Sequence, residues 1–215
     1  MKLPNIKLVD KKLNVHPLSR SGLPVDTVKL ARFLIGKILV REFRGKRLAG
    51  RIVETEAYPV GDAAGHAWRG HTRANHSLFL ERGRAYMYFI YGSCWCVNVT
   101  SETPDIGGGV LLRAIEPLEG IASMRRARGM AQDIARDIDI ARGPGRLAQA
   151  MRLDGKFDGV DLCERRSGLW LGAEARPAEK IGVSTRIGLS REAHRRLRFY
   201  ERGSPFVSGP LALRK

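Results

Sequence analysis

The chain has 215 residues, 43% hydrophobic and 28% charged, a composition that excludes a disordered polyelectrolyte and suits about one globular domain. Its 38 Lys and Arg against 22 Asp and Glu leave a formal net charge of +16, which argues against a binder of small neutral molecules and for a polyanionic partner, most simply nucleic acid. Cys94, Cys96 and Cys163 are too few for a disulfide scaffold or a four-thiolate zinc site.

Residues 1–23 are basic and punctuated by Pro and Gly, and an arm over residues 1–16 is expected to precede one domain over residues 17–215. The stretch Pro24–Gly36 reads as a helix: Asp26 and Thr27 favour its first turn, Leu30, Phe33 and Leu34 form a stripe, and Gly36 suits the position after the last turn. Two strand-like runs follow, Lys37–Phe43 and Leu48–Tyr58, joined by a polar turn at Arg44–Arg47. The long loop from Pro59 to about Asn75 is a site candidate, because long unstructured connections inside a domain are usually functional. Ala85–Tyr91 and Cys94–Thr100 read as a hairpin about Gly92-Ser93. After Gly107–Gly109 come a strand over Val110–Ile115 and a helix opened by Pro117-Leu118-Glu119 and running to about Arg126. A further helix is predicted from Gly143-Pro144-Gly145 to about Met151, and short strands near Leu169–Leu171, Ile181–Ile187 and Leu197–Arg202. Without alternating βαβ units, the fold class is α+β, with a curved, mainly antiparallel sheet and surrounding helices.

No apolar run approaches the ~18 residues of a membrane span, and Met1-Lys2-Leu3-Pro4 does not open a signal peptide. A monomeric cytoplasmic protein, nucleoid-associated in a bacterium or nuclear in a eukaryote, is expected, with no membrane partner.

Strand alternation puts Ile52, Glu54, Glu56 and Tyr58 on one face, and Val53, Thr55 and Ala57 on another that faces the core. Two carboxylates and an aromatic would then share one space, where a carboxylate can activate water and stabilise a developing cation. Surface glutamates in salt bridges would read the same way. Tyr86–Tyr91 is rich in aromatics, which suit cross-strand packing. Tyr91, beside the hairpin turn, also has the setting of a wedge for a base step. His66, His71 and His76 recur every fifth residue, which matches no one face of a helix or strand and no recognised metal motif. Cys94 and Cys96 share a strand face and read as small buried hydrophobes. The glycine-led segments Gly107–Gly109 and Gly143–Arg146 could offer amides to phosphates, but neither is a P-loop or a dinucleotide fingerprint.

Arg51–Tyr58, His66 with Arg69-Gly70, Tyr86–Asn98, Val110–Gly120, and Arg198-Phe199-Tyr200 with Arg202-Gly203-Ser204-Pro205 resemble, in that order, the mammalian-type alkyladenine (3-methyladenine) DNA glycosylase family. The resemblance runs over about residues 17–208. It implies a monofunctional enzyme without lyase activity that acts on damaged double-stranded DNA and starts base excision repair. A protruding β-hairpin would enter the DNA, the alkylated or deaminated purine would flip into a pocket, and its N-glycosidic bond would be hydrolysed. Carried onto this sequence, Glu56 deprotonates the attacking water, while Arg113 and the main chain at Ile187 contact that water. Tyr58 and His66 sandwich the base and Tyr88 packs against it. Asn98 discriminates against guanine, and Tyr91 fills the vacated stack. The resemblance implies no cofactor and no metal. A non-catalytic basic nucleic-acid-binding module is the alternative that the charge alone would allow.

Overall fold

Eight strands form one sheet in the computed structural model, which describes residues 8–90, 92–130, 137–173 and 180–209. The path β3 (Ala85–Ile90), β4 (Cys94–Thr100), β5 (Gly109–Glu119), β2 (Lys46–Tyr58), β1 (Ile38–Phe43), β6 (Leu169–Gly172) is antiparallel throughout. Strand β8 (Arg198–Glu201) adds to the second half of β2 and carries β7 (Ile181–Ser184) on its far side. Register shifts along the β2–β5 ladder, at Ala49/Gly50 and around Glu54, are bulges of the kind that bend a strand and increase its twist.

Helix α1 (Thr27–Leu34) is shorter than the predicted stretch, because Asp26 already caps it by accepting a hydrogen bond from Lys29 N at 2.7 Å. It buries Leu30, Ala31 and Leu34 against the sheet, where they join Ile52, Ala57, Val97, Val99, Leu112 and Ile115 in the main core. Helix α3 (Pro144–Ala150) opens with Pro at its first position, as expected, and packs on β4.

Two expectations are corrected. Pro117-Leu118-Glu119 continues β5 and opens no helix. Pro117 pairs with Gly50 at a bulge, where a missing amide is tolerated. Gly120 then turns at φ 75, a left-handed conformation, and α2 (Ile121–Ala127) begins after it. Second, the bulge between Ile52 and Glu54 reverses the alternation locally. Ile52 joins Ala57 in the main core, and Val53 packs in a second cluster with Tyr200, Phe206 and Val207. Gly107–Gly109 forms a close-packed crossing. A Cβ at these positions would fall 2.6 Å from Ala67, 2.8 Å from Ser101 Oγ and 2.9 Å from Leu78.

Residues 8–16 lie along the surface and are tied down by Lys11 N to Leu118 O at 2.8 Å and by Ile121 N to Asp10 Oδ1 at 2.9 Å. No helix among the described residues is long and apolar enough to cross a membrane.

Candidate active site

Because β2 is covered on both faces, its carboxylates are buried. The Glu54 and Glu56 side chains are both inaccessible to solvent, an arrangement that costs several kcal/mol per charge unless each is paired and hydrogen-bonded. The two are paired differently. Glu54 accepts from Arg113 Nε at 2.9 Å, Arg198 Nε at 2.6 Å, Ser208 N at 2.7 Å and Ser208 Oγ at 2.9 Å. Burial by itself would raise its carboxyl, but Arg113, Arg198 and the Ser208 amide outweigh burial and hold it below its ordinary value. Both its oxygens are thus engaged by the scaffold.

Glu56 has a lighter set of partners that all belong to the wall of a cavity. Its Oε1 accepts from Ile187 N at 2.8 Å and lies 3.2 Å from Arg113 Nη1, and its Oε2 accepts from the Tyr58 hydroxyl at 3.0 Å. Burial, followed by the adjacent Glu56 carboxylate, pushes the Tyr58 phenol above its ordinary range, so it stays a donor. The Arg113 guanidinium is disfavoured by burial, but Glu56 and Glu54 more than offset this and raise it.

Tyr58, Arg113 and Ile187 line a cavity of about 310 Å³ together with His66, Tyr88 and Asn98, at the small end of the ~300–1,000 Å³ typical of ligand pockets. Glu56 lies directly beneath these residues. The long loop delivers His66 into the wall. Buried Asn75 pins it by donating to the carbonyls of His66 and Gly70, both at 2.9 Å, while its Oδ1 accepts from Thr72 N at 2.6 Å. The His66 ring lies 4.0 Å, centroid to centroid, from Tyr88 and shares a 3.0 Å hydrogen bond between Nδ1 and the Tyr86 hydroxyl. Burial lowers His66 below its ordinary value of 6.5, favouring the neutral imidazole. Asn98 donates from Nδ2 to Tyr86 O at 3.1 Å. Cys96 also lines the cavity, and burial pushes its thiol up to about 11, so this wall carries no thiolate at neutral pH.

Six of the eight residues singled out from the sequence line this cavity, and Glu56 contacts three of them. Tyr91 lies outside the described residues. His71 and His76 pair with each other at 2.8 Å, away from His66, and no group of three or more metal-ligating side chains occurs among the described residues. Strand periodicity could not reveal Asn75, which acts within its own loop, or the Asp62–Arg186 and His66–Tyr86 contacts, whose partners lie 124 and 20 residues apart. Arg198, which the sequence offers only as the start of the family-like Arg198-Phe199-Tyr200 segment, is the second cation on Glu54.

An aromatic-walled cavity over a buried, arginine-held carboxylate, in a strongly basic α+β protein, makes up the candidate site. Residues 22–205 match the family described as methylpurine-DNA glycosylase. A protein of Mesorhizobium japonicum is 57% identical over 93% of this chain and 93% of its own length, and one of Paraburkholderia phytofirmans is 50% identical over 94% and 92%. One of Chlorobium phaeovibrioides is 44% identical over 89% and 96%, and all three are named "Putative 3-methyladenine DNA glycosylase". The chain belongs to the methylpurine-DNA glycosylase family. It is a DNA-repair enzyme whose substrate is DNA, and the non-catalytic alternative falls away.

Proposed function

We propose that this DNA-3-methyladenine glycosylase flips an alkylated or deaminated purine out of duplex DNA into the Tyr58–His66 cavity and hydrolyses its N-glycosidic bond with Glu56 as general base. The observation that carries the reading is the Glu56 carboxylate, held by Arg113, Ile187 N and Tyr58 directly beneath an aromatic cavity. Water attacks the sugar C1′, the bond from C1′ to the base nitrogen breaks, and its electron pair leaves with the base. The water's proton passes to Glu56. Arg113 and the Ile187 amide hold the water and the carboxylate in register, and the carboxylate's charge opposes the positive charge that develops on the sugar.

Tyr58 and His66 close on the two faces of the base, with Tyr88 packed beside His66. Alkylation of a ring nitrogen makes the base cationic, which aromatic faces favour and which makes it a good leaving group. A neutral His66 adds no opposing charge. Asn98 excludes guanine by its exocyclic amino group, and Tyr91 fills the emptied stack. The enzyme acts as a cytoplasmic, nucleoid-associated monomer, residues 17–215 forming the glycosylase domain behind the 1–16 arm. It needs no cofactor or metal and cuts no strand, since no amine nucleophile is used.

The test is release of free base from alkylated duplex DNA in the presence of a chelator and without added cofactor. Release with the backbone intact is expected. Release abolished by the chelator, or accompanied by strand cleavage, would overturn the mechanism.

A further inference from the structure

The residue before Ile187 sends its side chain behind the cavity wall. The Arg186 guanidinium carbon lies over the Tyr58 ring, 4.6 Å from its centroid, and the side chain is fully buried. Its Nη1 donates to Ala57 O at 3.0 Å and to Asp62 Oδ2, and its Nη2 donates to Asp62 Oδ1 at 3.1 Å. Asp62 is equally buried, and its Oδ1 also accepts from Ala64 N at 2.9 Å. One bidentate ion pair therefore ties the loop after Tyr58 to the segment whose amide touches Glu56. The half-buried Arg195 stands 3.7 Å from Asp62 Oδ2. A buried ion pair is not in itself a gain in stability over apolar packing, so its placement against the base-stacking ring calls for another reason.

We propose that the Asp62–Arg186 pair is a specificity-determining element: Asp62 neutralises the cation behind Tyr58, and so decides how well the pocket accepts a cationic alkylated base relative to a neutral one. This rests on the reading that the base stacks on Tyr58. Arg186 already occupies the outer face of the ring. A cationic base on the inner face would sit about 8 Å from the guanidinium, allowing ~3.5 Å for stacking. Two unit charges at that distance, at an effective dielectric of ~20, disfavour occupancy by roughly ten- to thirtyfold. With Asp62 ionised and hydrogen-bonded to the guanidinium, that repulsion is offset. A neutral base feels neither effect.

The experiment compares single-turnover release of 3-methyladenine, which is cationic in DNA and lacks a 2-amino group, with release of neutral hypoxanthine or ethenoadenine from the same duplex. Asp62→Asn should lower the ratio of cationic to neutral release by roughly ten- to thirtyfold, and Asp62→Asn with Arg186→Gln should restore it even if both rates are lower. Should Asp62→Asn fail to fold, Arg186→Gln carries the test and should raise the ratio. Rates that fall together at an unchanged ratio would reduce the pair to a structural tie and overturn the proposal. Tyr58→Leu separates the two failures. If it leaves both rates unchanged, the stacking reading itself is wrong. If it impairs release while Asp62→Asn leaves the ratio unmoved, only the electrostatic proposal falls.

Discussion

Glu54 and Glu56 share one arginine: Arg113 donates from Nε to Glu54 Oε1 at 2.9 Å and holds Nη1 3.2 Å from Glu56 Oε1. The guanidinium is thereby fixed at one end by a scaffold carboxylate and presented at the other to the carboxylate under the cavity. This gives two adjacent acidic positions on one strand separate roles, and the roles predict separable phenotypes.

Glu56→Gln should leave folding and DNA binding intact and slow base release by about 10²–10⁴-fold, the usual span of a general-base contribution. The amide can still accept from Ile187 N but cannot take the water's proton. Single-turnover excision near the wild-type rate would remove Glu56 from the mechanism.

Glu54→Gln should act on stability. It leaves Arg113 and Arg198 beside a neutral group in a buried setting, and breaking a buried ion pair costs about 3–5 kcal/mol. Urea denaturation followed by circular dichroism measures this. A variant with wild-type stability and a selective loss of catalysis would exchange the roles of the two glutamates.

The fold should weaken in two stages as pH falls. His66 is held below its ordinary 6.5 by burial, so below that pH the unfolded chain binds a proton that the folded chain resists, and stability declines. Glu54 is held below its ordinary 4.5 by Arg113 and Arg198 against the opposing effect of burial. Its contribution is complete above that value and is lost as pH drops further. Thermal unfolding across the acid range should show both stages, and His66→Gln should abolish the upper one. An unchanged upper stage in that variant would assign it to another group.

Asn98→Ala should gain release of undamaged or mispaired guanine while keeping much of its activity on alkylated adenine. The side chain stands in the cavity wall, fixed by its 3.1 Å bond to Tyr86 O. Oligonucleotides carrying guanine or hypoxanthine at one position would report it. Parallel loss of both activities in a folded variant would mean that Asn98 supports the wall without gating it.

The class of fold and most element positions were legible in the sequence, and the family resemblance named six residues that line the cavity. Strand and helix periodicity are local, and the hairpin turns sit at glycines where short-range sterics decide the backbone. The +16 charge marked a polyanion as partner because charge sums without regard to fold. Tertiary structure decided what each acidic residue does. By spacing, Glu54 and Glu56 were equivalent, and only the arrival of Arg198 and Ser208 from the end of the chain made the first a scaffold group and left the second to the cavity. The bulge that swapped Ile52 and Val53 depends on pairing with β5, and the strand at Pro117 depends on a partner bulge at Gly50. No window of residues around position 62 contains Arg186. That pair exists only because the sheet brings the two loops behind Tyr58 together, and a side chain's electrostatic role is set by what lies within a few ångströms in space, which sequence separation does not record.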